Sequence, residues 1–135
     1  DLIKHIDSIE RSIRKIDRFQ PEAIGSFRNR LSQRIKELTS GDSLNKEKLE
    51  EEVAIFVRNS DITEELTRLK GHIVNLKKIL KEENELGRKL DFIAQELQRE
   101  INTIGSKAES FKISREVIEI KSCIDKIREQ AQNVE

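Results

Sequence analysis

The residues best placed to do chemistry are two carboxylates, Glu96 and Glu100, four positions apart. On a helix that spacing sets one above the other. Stacked carboxylates repel unless something positive lies between them: a metal ion, a lysine, an arginine or a histidine. Projection at about 100° per residue, with Leu97 at the centre of the apolar stripe, puts Lys89, Thr103 and Lys107 on the same flank as the two glutamates. Arg88, Asp91, Gln95, Arg99 and Asn102 fall on the outward face. An earlier segment carries Glu65, Arg68 and His72 along one flank of its own stripe. If the two segments form a hairpin, these flanks face each other. A Glu/His set opposite a Glu/Glu pair would suit a divalent ion: carboxylate with imidazole suits Mn²⁺ or Zn²⁺, and carboxylates alone suit Mg²⁺. Such an ion would activate water for phosphodiester cleavage. Spacing alone favours a plainer reading, because 39% of the residues are charged and Glu at i and i+4 is then commonly solvated or paired with Lys and Arg.

The elements that must position these groups are helices. Leu2, Ile6, Ile9, Ile13 and Ile16 step in alternating fours and threes, a heptad seam that no strand would show. Pro21 interrupts it. Proline fits the first turn of a helix and not its interior, so the sequence predicts that a helix ends or kinks near Gln20. A second is expected from Pro21 to Thr39, with Gly41 as its stop, and a third from an N-cap at Asn45 to Asn59. Asp61 followed by Glu64 reads as a capping box. From there Ile62, Leu66, Leu69, Ile73, Leu76 and Leu80 keep the rhythm as far as the charged segment 81–85. Leu90, Ile93, Leu97, Ile101 and Ile104 mark the next helix from Leu86, which Gly105 and Ser106 are expected to break. Ile113, Val117, Ile120, Ile124, Ile127, Ala131 and Val134 mark the last. The class is all-α: long antiparallel helices with heptad-like seams, packed within the chain or between copies.

Composition supports order. Leu, Ile, Val and Phe number 41 of 135, well above the roughly 20% level that suggests disorder. Zero net charge also argues against disorder, and it removes any global pull toward nucleic acid or membrane. RNA contact would have to come from local patches, such as the mild basic excess in residues 1–40. Five Phe with no Trp or Tyr argue against aromatic base-stacking platforms. The single Cys123 forms no internal disulfide and reads as a small apolar filler, there is no zinc spacing, and no apolar run reaches the ~18 residues of a membrane span. A reducing cytoplasm is the expected compartment. There is no Gly-rich phosphate loop, no Ser/His/Asp order and no Cys nucleophile beside a base. The chain begins at Asp1 and contains no Met, so a longer parent is expected.

Three strings carry more than periodicity: DITEELTRLKGHI from Asp61 to Ile73, GRKLDFIAQELQREINTIGSK from Gly87 to Lys107, and EIKSCIDKIREQAQNVE at the end. In this order and spacing they resemble the C-terminal domain of the YicC/YloC family, and LNKEKLEEEVAIF looks like the family's helix leading into the first string. The resemblance covers most of 44–135 and is looser over 1–43. It implies a helical connector in 1–43, a C-terminal helical domain in 44–135, and an N-terminal domain in a bacterial cytoplasmic parent about twice as long. It also implies a single-strand endoribonuclease that uses divalent metal, Mn²⁺ or Mg²⁺, and assembles as a ring-like homo-hexamer. Asn59 departs from the family, where many members have a basic residue.

With that resemblance the candidate roles are as follows. Glu65, Asp91, Glu96 and Glu100 would hold the metal, with His72 as general acid, base or ligand. Arg68, Arg88, Lys89, Arg99 and Lys107 would hold phosphate and stabilise developing negative charge. Two other readings stay open: a scaffold that assembles the protein without cutting, and an RNA-binding adaptor without catalysis.

Overall fold

A computed structural model describes residues 1–38, 43–82 and 86–134. Every regular element among them is a helix: α1 (Leu2–Leu38), α2 (Ser43–Ser60), α3 (Thr63–Ile79), α4 (Leu86–Lys107) and α5 (Phe111–Val134). The all-α class is as the spacing predicts.

The first half of α1 joins α3, α4 and α5 around one core. Each heptad seam ends in that core: Ile6, Ile9, Ile13 and Ile16 from α1, Ile62 to Leu76 from α3, Leu90 to Ile104 from α4, and Ile113 to Ala131 from α5. The seams are therefore satisfied within the chain. Around the bundle, α4 packs between α3 and α5, and α1 closes the ring against α5 and α3. Partner numbers fix the directions. Glu65 meets Lys107 while Arg68 meets Glu100, so α3 and α4 are antiparallel. The pairs Asp17–Lys70 and Glu10–Lys77 say the same of α1 and α3. Gly105 lies opposite Val117, with Asp91 opposite Arg128, so α4 and α5 are also antiparallel.

At roughly 1.5 Å per residue, the 37 residues of α1 extend about 55 Å, against about 25 Å for the 17 of α3. The second half of α1 therefore overhangs the bundle. There α2 folds back on it antiparallel: Phe27 stacks on Phe56 at 4.1 Å, Arg28 pairs with Glu50, and Gln20 donates to the Ser60 carbonyl at 2.8 Å.

Four expected boundaries move. Helix α1 runs through Pro21 and does not end near Gln20. Pro21 is exposed, so the Asp17 carbonyl left without its helical donor sits on a water-facing side, while both halves of the helix are packed against neighbours. Helix α4 continues past Gly105 and Ser106 to Lys107, because the glycine serves packing: a Cβ there would lie 3.2 Å from Val117 Cγ1. At the start of α3 the N-cap is Ile62, one residue after the Asp61 that the capping box requires, and it makes no side-chain cap bond. Asp61 accepts from the Thr63 N–H at 3.0 Å and from its hydroxyl at 2.6 Å, and Glu64 turns to Arg68 at 3.6 Å. Helix α2 begins at Ser43, so Asn45 lies inside it. The expected stop at Gly41 and the end of the charged segment, residues 83–85, lie outside the described residues.

Candidate functional site

The α3 and α4 flanks face each other as the hairpin requires. Glu65 and Glu100 are each only 5% exposed, unusual for carboxylates, which are rarely buried unless paired. Both are paired across the helix interface. Arg68 Nε lies 3.0 Å from each oxygen of Glu100, and its terminal nitrogens reach Glu64 at 3.6 Å and Glu65 at 3.9 Å. Lys107 Nζ donates to Glu65 at 2.9 Å and to the Asp61 carbonyl at 3.3 Å. The positive group that the stacked-carboxylate argument demands is thus Arg68 at Glu100. At Glu96 it is Arg99, 3.9 Å away on the same helix.

The electrostatics follow the geometry. Burial pushes the Glu65 carboxyl up, but the Lys107 hydrogen bond, its own backbone N–H and the nearby charges outweigh it and hold the carboxyl below the usual range. The Thr63 hydroxyl and N–H lower Asp61 in the same way. Arg68 is about half exposed, so its guanidinium is anchored by a buried carboxylate and still open to solvent. Lys107 is similarly open.

His72 is half-buried on α3, one turn beyond Arg68 on the same flank. Arg99 is largely exposed and Arg88 is exposed, both on the outer side of α4 beside Phe92. Lys89 meets Glu82 at 2.6 Å. Asp91 belongs to a different interface. It accepts from Gln95 at 2.9 Å and pairs with Arg128 of α5 at 3.5 Å.

The four carboxylates expected to share a divalent ion do not meet in one place. Asp91 lies nine residues before Glu100 on α4, about 13 Å along the axis. Metal–oxygen bonds of roughly 2.0–2.6 Å cannot join two groups so far apart. Glu65 and Glu100 are held by Lys107 and Arg68. Among the described residues no group of three or more His, Cys, Asp and Glu is arranged to hold a metal ion. What the arrangement itself offers is two cations fixed by buried carboxylates, with a histidine one turn away.

Sequence reasoning did not find the Asp61 carbonyl or Arg128. The first is a backbone group with no sequence signal. The second is visible only once α4 and α5 are known to be antiparallel, which sets Arg128 opposite Asp91.

Comparison with known proteins bears on the same residues. The family described as "Endoribonuclease YicC-like, C-terminal" matches residues 16–135. A "Probable endoribonuclease YicC" of Clostridioides difficile (strain 630) is 40% identical over 136 aligned residues, covering 100% of this chain and 46% of that protein. A protein of the same name from Haemophilus influenzae (strain ATCC 51907 / DSM 11121 / KW20 / Rd) is 37% identical over 136 aligned residues, covering 100% of this chain and 47% of its own length. The chain spans about half the length of the curated relatives it matches.

Proposed function

The chain belongs to the YicC-like endoribonuclease family, and on that premise we propose that it is the helical part of an enzyme that cuts phosphodiester bonds in single-stranded RNA. The observation that carries the reading is the α3–α4 quartet. Glu65 and Glu100, buried in the interface, hold Lys107 and Arg68 at a half-open surface where a phosphate can reach them. In this reading the glutamates are positioning residues. The two cations bind the scissile phosphate and stabilise the charge that develops on it, an effect that grows with preorganisation. Cleavage also needs a proton taken from the attacking oxygen and one given to the leaving oxygen. His72, one turn along α3, is the candidate carrier. Arg88 and Arg99 on the outer side of α4 extend the phosphate contacts along the strand.

A second reading has its own observation. Arg68 and Lys107 occupy both buried carboxylates and tie the start of α3 to the end of α4, as a purely architectural clamp would. The chain would then be a rigid assembly module, contributing to a homo-oligomer while the chemistry lies in the rest of the protein.

The test is cleavage of a labelled single-stranded RNA by this chain and by its full-length natural protein, each with Mn²⁺, with Mg²⁺ and with a chelator. Cutting by this chain supports the first reading, and loss of cutting in the chelator supports a metal requirement. Cutting by the full-length protein alone supports the second. No cutting by either removes the proposal.

A further inference from the structure

Where α1 leaves the bundle it passes the connection between α4 and α5, and two open hollows of about 300 and 420 Å³ lie along that crossing. They share Arg30 and Glu109, so they form one groove. Phe111 stands at its rim with 79% of its surface exposed, the most exposed large apolar side chain among the described residues. A single exposed apolar side chain is ordinary. This one differs in its setting. Lys112 follows it directly and lies 5.4 Å from the centre of the Phe19 ring, with Arg18 at 5.6 Å.

Arg30 and Arg34 line the groove one helical turn apart. Arg30 donates to the Ser26 carbonyl at 3.4 Å, and among the described residues neither arginine has a carboxylate partner. The acids present are Glu109 and Glu22, and Glu22 is taken up by Lys112 at 3.6 Å. Counting the lining residues Arg30, Arg34 and Lys112 against Glu22 and Glu109 leaves a local excess of one positive charge on a chain whose net charge is zero.

The position matters as much as the composition. Lys107 of the α3–α4 quartet and Phe111 are four residues apart, which bounds their separation at roughly 14 Å. Both lie at the same end of the bundle. Ser110, whose hydroxyl accepts from the Ile113 N–H at 3.3 Å, fixes the start of α5 and with it the backbone of Phe111. An open aromatic face, which the low aromatic content of the sequence argues against, guanidinium groups one turn apart with no carboxylate partner among the described residues, and a route to a second pair of cations together match what single-stranded nucleic acid needs: a π-face for an unstacked base and a line of positive charge for its phosphates.

We propose that the groove between the overhanging half of α1 and the α4–α5 connection is a track for single-stranded RNA. Phe111 stacks a base, Arg30, Arg34 and Lys112 hold phosphates, and the strand is led toward Lys107 and Arg68. This rests on the reading of the protein as one that cuts RNA, and it adds where the strand lies.

The test uses the full-length protein and a fluorescently labelled oligouridylate, with binding read by anisotropy over a salt series and cleavage read on a gel from the same samples. Phe111→Leu removes the π-face and keeps an apolar side chain. It is expected to weaken single-strand binding about fivefold or more and to leave binding of the same sequence as a duplex unchanged. The double variant Arg30→Ala/Arg34→Ala is expected to reduce the slope of log affinity against log salt by about 1.4, from roughly 0.7 per phosphate contact on a single strand. Val74→Ala, an exposed apolar position on α3 outside the groove, is expected to bind as the parent does. Wild-type affinity in Phe111→Leu together with an unchanged salt slope in the arginine variant, while the parent still cuts, would overturn the track and leave the proposed activity standing. A change of oligomeric state in these variants with unaltered RNA affinity would overturn it in favour of an interface between copies. A parent that neither binds nor cuts RNA would remove the underlying reading, and the track with it.

Discussion

Lys107→Ala tests whether the buried carboxylates depend on their cross-helix partners. Glu65 is 5% exposed, and its hydrogen bond to Lys107 is 2.9 Å long. Losing a hydrogen bond to a charged group costs about 1.5–3 kcal/mol. Lys107 is 38% exposed, so solvent screens part of that and about 1–2 kcal/mol is the expected loss at neutral pH. The pH dependence is the sharper readout. In the parent, the Glu65 carboxyl is held below its ordinary range, so it adds stability above the unfolded-state pKa of about 4.3 and loses it as pH falls through the lower folded value. In Lys107→Ala burial is opposed only by the backbone N–H and Arg68, and the carboxyl moves upward. The buried charge then costs stability at neutral pH, and protonation relieves that cost on acidification. The deficit should therefore be largest near neutrality and shrink toward about pH 4. Urea unfolding of parent and variant, followed by far-UV circular dichroism across that range, measures it. A deficit below about 0.5 kcal/mol at neutral pH, or one of equal size across the range, would refute the reasoning.

Two further predictions concern the frame. Leu97→Ala empties a fully buried position at the centre of the α4 stripe and should cost about 2–5 kcal/mol in the same unfolding assay. Gly105→Leu drives a side chain into Val117 of α5, already 3.2 Å from where a Cβ would sit, and should cost about 1–3 kcal/mol with cooperative unfolding retained.

Much of the frame is legible in the sequence because it depends on a period. The four-and-three steps from Ile62 to Leu76 and from Leu90 to Ile104 are the residues that fill the core, and an antiparallel hairpin then brings Glu65 and Arg68 to face Glu100 and Lys107. The failures sit where a local rule met a tertiary contact. Pro21 does not end α1, because the carbonyl it strands is on an open side while helices pack on both halves. Gly105 does not end α4, because α5 needs the space. The Asp91 assignment fails as part of a shared site for a further reason: a wheel projection says how far a residue lies from the stripe but not which neighbour it meets, and Asp91 meets α5. The placing of Phe111 and Arg30 on one hollow, with Arg34 on the adjoining one, depends on α1 overhanging the bundle, which no spacing within either segment encodes.

The most direct test of the central claim is the single-turnover rate of single-stranded RNA cleavage by the full-length protein and its His72→Ala variant, with helicity checked in parallel. If the α3–α4 flank carries the chemistry, the variant keeps its fold and loses about 100-fold or more in rate. An unchanged rate in a folded variant would remove His72 from the mechanism and contradict the claim that this flank supplies the proton transfer.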